Sequence, residues 1–319
     1  MEKMRIAIDK VVHDDFKGCI SILKDNQPIF QKAYGYADLS NRVPNEVATK
    51  FATASAGKAF VAVGILKLIE SNQLKLEDTI GNILDCDLKA IDPLITIAQL
   101  LTHTSGIPDY FDESIMEAYG ELWIDFPNYK IRRNSDLLPL FIDKPMMYPA
   151  GEKFQYNNTG YVVLAMIIEK LTRKPFDLFL EDTVFGPCGM TDTGYYELDR
   201  LPSKCANAYI YDDLQKNYYT NIYSVDVKGT GAGGAFTTVL DVAKFWAALL
   251  GGRLLSHQMV EVMMLPRNPN SSDEESDSEY GYGLWLDKKE DGNYLPYFQG
   301  CDPGVSFISS YDRQLGLSI

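Results

Sequence analysis

"FATASAGKAFVAVGILKLIE", residues 51–70, decides how this chain is read. After Ser55 come Ala56, Ala59, Phe60, Val61, Val63, Ile65, Leu66, Leu68 and Ile69, with no proline among them. That density of apolar residues over such a length predicts a largely buried helix. On a helix, residues i and i+3 share a face, so Ser55 and Lys58 are expected side by side. Ser21 and Lys24 have the same spacing, in "GCISILKDNQPIFQKAYG" (18–35). There, two β-rich runs flank Asp25-Asn26 and read as a hairpin. On a strand, i and i+3 point to opposite faces, so that second pair does not meet. The competing use of Ser55, or of Thr53, is as a helix cap.

Outward from this helix, a first helix is expected at about 3 to 15, then the hairpin at 18–36 and a polar connection, "ADLSNRVPNEVA". Up to about 225 the signals are mostly helix and loop. The Gly-rich "GTGAGGAFTT" (229–238) marks a change, followed by a helix, "VLDVAKFWAALLGG", closed by Gly251-Gly252. The runs "YGYGLWLD", "YLPYFQG" and "VSFISSYD" read as antiparallel strands. The expected fold is mixed α and β: an antiparallel sheet built from both chain ends, flanked by helices, with an inserted mostly helical region. Residues 1–52 and 225–319 would form the discontinuous sheet region and 53–224 the helical one, with an active site between them.

At 46% hydrophobic and 23% charged, the 319 residues look like an ordinary globular protein. The formal charge of −14 disfavours nucleic acid and anionic membrane as partners. Five of the excess carboxylates fall in "SSDEESDSE" (271–279), read as a solvated, mobile loop. The five scattered cysteines include no C-x-x-C, and no run reaches the length of a membrane span. Together with an amino terminus lacking a signal-peptide core, they lead to an expectation of a cytoplasmic location, unless a leader has been removed. No metal or cofactor is expected, and oligomeric state is not legible.

An activated serine needs a base and an oxyanion hole. Neither His13 nor His257 has a motif around it, and His103, in "LLTHTSGIPDY", reads as a brace for a turn-rich loop. No G-x-S-x-G elbow is present, which disfavours a Ser-His-Asp hydrolase. The alternative is a lysine-assisted serine, with Lys58 desolvated so that its pKa falls. Tyr156-Asn157-Asn158, between the Pro149-Ala150-Gly151 turn and an apolar helix, offers a phenol and an amide projecting the same way. Tyr219-Thr220-Asn221 has the same spacing but no helix after it. The bland use of Tyr156 is packing under that helix, with Asn158 as its N-cap.

In order, "SAGK", "LLTHTSGIPDY", "YPAGEKFQYNNTGY" and "GPCGMTDTGY" resemble the serine β-lactamase and penicillin-binding-protein superfamily, in its class C β-lactamase-like branch. The resemblance covers about residues 15–313. It implies an acyl-enzyme on Ser55, proton transfer by Lys58, and Tyr156 as base toward Ser55 and acid toward the leaving group. It also implies that Asn158 hydrogen-bonds the substrate amide and Lys58, and that "GAGGAFTTVLDVAKF" helps shape the site. The family's Lys-Thr-Gly or His-x-Gly triplet is missing; Cys301-Asp302-Pro303 is aligned with it, as a substrate-binding segment. Gly304 then supplies the N–H that completes an oxyanion hole with the Ser55 N–H, because Pro303 has none to donate.

Without a cation in the triplet, and with Asp302 beside it, substrates bearing a free carboxylate are disfavoured. The expected substrate is an amide or ester: a β-lactam, a D-amino-acid peptide or a small ester. The alternative is a catalytically silent binding protein of the same fold. The resemblance also implies a further strand and a covering helix beyond Ile319, so a shortened chain is expected.

Overall fold

The structure, a computed structural model, describes residues 8, 10, 12, 16–269 and 278–319. Most of the helix expected at about 3 to 15, and residues 271–277 of the acidic stretch, lie outside the described residues. Ser278 and Glu279, at the end of that stretch, are in a strand rather than a loop.

Among the described residues, eight strands form one antiparallel sheet. They are β1 (Gly18–Lys24), β2 (Gln27–Tyr34), β3 (Asn268–Pro269), β4 (Ser278–Tyr280), β5 (Trp285–Lys288), β6 (Tyr294–Asp302), β7 (Val305–Asp312) and β8 (Leu317–Ser318), in spatial order β2-β1-β8-β7-β6-β5-β4-β3. The amino-terminal hairpin is thereby paired to the last strand, Leu23 opposite Ser318. Asp25 and Asn26 both take positive φ, 50° and 61°, which suits a two-residue turn matched to the twist of its strands.

Three long helices pack on or near this sheet: α1 (Lys58–Glu70), α2 (Asn158–Thr172) and α3 (Val239–Leu250). Helix α1 is buried on all sides from Lys58 to Leu66. Phe60 explains the burial: its ring meets Phe185, Phe245 and Phe298 edge-on, with centroids 5.0–6.1 Å apart. Phe298 belongs to β6, Phe245 to α3 and Phe185 to the helical region, so one side chain ties three layers. Trp246 of α3 donates its indole N–H to Ser309 of β7 at 2.9 Å, giving the buried ring its polar partner. Gly251 ends α3 and Gly252 follows at φ 73°, the predicted closure. The start of α1 is consequently wedged between sheet and helical region.

Candidate active site

Ser55 lies in a short 3-10 turn, Ala54–Gly57, immediately before α1. With three residues per turn, i and i+3 eclipse, and Lys58 Nζ donates to Ser55 Oγ at 2.9 Å. Thr53 makes no side-chain cap, and Ser55 is engaged by Lys58 instead of capping. Ala54 takes φ 47°, a left-handed conformation that costs a side-chain-bearing residue energy and is kept where surroundings enforce it. Its carbonyl is the enforcing group, accepting the Gly234 N–H at 3.0 Å. Ser21 and Lys24 sit on β1 with partners elsewhere, Gln31 for the serine.

Lys58 is 2% exposed. Its other two hydrogen bonds go to Asn158 Oδ1 at 2.8 Å and to the Ala232 carbonyl at 2.5 Å, so the Gly-rich segment and Asn158 both converge on the lysine. Burial lowers its pKa to about 8, against the opposing pull of Asp109, Glu113 and Asp302.

Tyr156 stands over this cluster, its ring centroid 4.9 Å from Lys58 Nζ. Trp285 of β5 stacks on it, centroids 5.9 Å apart at 13°. Burial holds the phenol well above its usual pKa, although its hydrogen bond with Ser55 favours ionisation. Tyr156 is therefore a neutral phenol at pH 7. Asn157, not Asn158, caps α2: its side chain accepts the Gly160 N–H at 2.7 Å. Asn158 is left free to reach Lys58.

The sequence reading missed Asp109. Its carboxylate accepts from the Asn158 N–H (2.8 Å), the Asn158 amide (3.4 Å), the Thr159 N–H and the Thr159 hydroxyl (both 3.0 Å). It thus satisfies first-turn N–H groups of α2 that have no partner within the helix and anchors the residue that holds Lys58. Burial raises its pKa to about 6 even though these bonds favour the anion. Pro108-Asp109 was legible as a turn; that the turn delivers a carboxylate beneath a distant helix was not.

The expected third element is displaced by a few residues. Pro303 and Gly304 form the two-residue turn between β6 and β7, with Gly304 at φ 75°. A Cβ on Gly304 would meet the Tyr209 carbonyl oxygen at 2.7 Å, so this glycine faces the hairpin Tyr209–Thr220 and not Ser55. Asn221 completes the anchoring, donating to the Pro303 carbonyl at 3.0 Å. The close approach to the nucleophile belongs to Gly300, where a Cβ would lie 2.6 Å from Ser55 N and 2.7 Å from Ala56 N.

The glycine-ended triplet beside the serine is accordingly Phe298-Gln299-Gly300, not Cys301-Asp302-Pro303, and Phe298 is buried in the aromatic core. The missing cation remains missing, at a different residue. Cys301 is exposed. Lys228, which immediately precedes the Gly-rich segment 229–238, pairs with Asp177 at 2.6 Å.

A cavity of about 200 Å³ opens at Ser55, walled by Asn158, Tyr110, Tyr119, Asp226 and Asp302 among others. Among the described residues no Lys, Arg or His lines it. Tyr119 donates to Asp226 at 2.9 Å and meets the Tyr110 hydroxyl at 3.1 Å. Burial raises both carboxyls to about 7; Lys58 pulls Asp302 back down, while Asp302 pushes Asp226 further up. Among the described residues no cluster of three or more His, Cys, Asp or Glu is placed to hold a metal ion, and no helix is long and apolar enough to cross a membrane.

The chain is 27% identical over 307 residues to penicillin-binding protein 4* of Bacillus subtilis, covering 91% of this chain and 64% of that one. It therefore spans about two thirds of that relative's length. The crystal structure of a penicillin-binding protein from Bacillus halodurans superposes with a TM-score of 0.90 at 36% identity, over 99% of this chain and 93% of that one. D-amino acid amidase from Ochrobactrum anthropi, at 24% identity and a TM-score of 0.78 over 98% and 87% of the two chains, shares the fold. Residues 14–315 match the family model described as Beta-lactamase, and the chain belongs to that family, within the serine β-lactamase and penicillin-binding-protein superfamily.

Proposed function

We propose that this protein is a serine hydrolase that acylates Ser55 with an amide or ester substrate and releases the product by hydrolysis of that acyl-enzyme. The observation that carries the reading is the 2.9 Å hydrogen bond from a buried Lys58 to Ser55 Oγ. With the lysine pKa lowered to about 8, about a tenth is neutral at pH 7. That fraction takes the Ser55 proton as Oγ attacks the carbonyl carbon. Tyr156, a neutral phenol, then gives its proton to the departing alkoxide or amine and regains one from Lys58. Water enters by the reverse route, and Asn158 orients both lysine and substrate.

The donor pair for the oxyanion is Ser55 N–H and Cys301 N–H. Ser310 exchanges both its backbone hydrogen bonds with Ile319 on the β8 side. Backbone direction alternates along antiparallel strands, so Ser309, Phe307 and Val305 bond to β6. Their partners are Phe298, Gly300 and Asp302, which turns Cys301 N–H away from β7. Pairing of β6 to β5 ends at Tyr297 opposite Trp285, and beyond it that edge of β6 faces the Ser55 turn.

The test is intact mass after exposure to a fluorophosphonate and, separately, a fluorescent penicillin. One adduct on the native protein, absent in Ser55→Ala, is expected. A folded native protein that takes neither reagent would establish the silent binding protein instead.

A further inference from the structure

His103 is 1% exposed, takes φ 55° and has no part in the proton transfers above. Its carbonyl accepts the Gln155 N–H at 2.9 Å, and its Nδ1 accepts the Asn157 N–H at 3.1 Å. One residue therefore binds the backbone on both sides of Tyr156. Its ring also lies against the Tyr156 ring, centroids 4.4 Å apart at 35°. A backbone N–H can only donate, so Nδ1 is bare and the ring proton sits on Nε2. Nε2 is buried without a hydrogen-bond partner, near the rings of Phe154, Tyr161 and Tyr280. An orphaned buried donor is costly, and a phenylalanine would fill the same space without that cost. What phenylalanine cannot do is accept the Asn157 N–H. Burial and the nearby Lys58 charge keep the ring neutral, so Nδ1 stays available as an acceptor.

We propose that His103 is the positioning residue of Tyr156, fixing the phenol over Ser55 by holding Gln155 and Asn157. This rests on Tyr156 acting as the acid toward the leaving group. Misplacing an acid harms substrates whose leaving group needs a proton and spares those whose leaving group does not. A general loss of structure harms both alike. The experiment compares kcat/KM for ethyl butyrate and p-nitrophenyl butyrate, which share an acyl group, in protein shown to be folded by circular dichroism.

His103→Gln, with its acceptor one atom too far, should lower the ethyl ester value about 30-fold and the p-nitrophenyl value less than about 3-fold, within the range of general acid catalysis. His103→Asn puts Oδ1 at the Nδ1 position and tolerates the left-handed backbone; it should restore the ratio to within about 3-fold of native. Tyr156→Phe should show the same selectivity as His103→Gln. If His103→Gln does not fold, His103→Phe replaces it. Equal losses on both esters in the His103 variants, with Tyr156→Phe selective, would overturn the proposal. If Tyr156→Phe is itself unselective, the role of Tyr156 fails and this proposal with it.

Discussion

At Lys58 three acceptors, Ser55 Oγ, Asn158 Oδ1 and the Ala232 carbonyl, meet the three protons of an ammonium, so the charged form is fully bonded while burial opposes it. The balance puts the pKa at about 8. In the proposed mechanism the neutral amine takes the serine proton, so kcat/KM for a neutral ester should rise with pH to a plateau, with an inflection near 8. A flat profile between about pH 6 and 9.5 would contradict this. Asp302 holds the lysine pKa up, so Asp302→Asn should move the inflection to lower pH. Ser55 and Lys58 were legible because their spacing lies on a helical pattern. The Ala232 acceptor was not, because a main-chain carbonyl leaves no residue-type signal and is brought here from the far side of the chain.

The start of α2 is the element on which the cluster depends. Asp109→Ala would leave the Asn158 and Thr159 N–H groups and the Thr159 hydroxyl without their acceptor. At about 1–3 kcal/mol for each buried group left unpaired, with partial relief by water, we expect a loss of about 3 kcal/mol. Thermal or urea unfolding measures it, and a change below about 0.5 kcal/mol would show that Asp109 does not anchor the helix. Activity should fall as well, because Asn158 loses its tether.

Strand boundaries account for what the sequence misled about. Pro303-Gly304 has the composition of a turn and is one. Aligning Cys301-Asp302-Pro303 with the triplet and taking Gly304 as the donor required Pro303 and Gly304 to lie in a strand, with an edge open to Ser55. The register of β6 on β7 and β5 puts Gly300 three residues beyond Tyr297, whose pair with Trp285 closes the ladder with β5, and next to Cys301, whose N–H is turned outward. The hairpin at Asp25-Asn26 was fully legible, since local turn chemistry alone determines it.

On the scale of the molecule, a net charge of −14 surrounds a cavity whose own walls carry Asp226 and Asp302 and, among the described residues, no cation. Mono-p-nitrophenyl glutarate should therefore give kcat/KM at least about tenfold below p-nitrophenyl pentanoate. Both carboxyls ionise around pH 7, so the gap should widen between pH 6 and 8, and salt should narrow it by screening. Equal values for the two esters would remove the cavity carboxylates from substrate selection.

The sheet has one more consequence. Ser55 follows the first hairpin, whereas β6 comes from the last third of the chain, and the turn carrying the serine is pressed against Gly300. The two N–H groups proposed to receive the oxyanion come together only in a molecule whose sheet has already joined its two ends. A collapsed chain with its helices formed and its last strands undocked would own every reactive side chain and still be inert. Covalent labelling of Ser55 is thus a census of correctly closed molecules as much as a measure of catalysis.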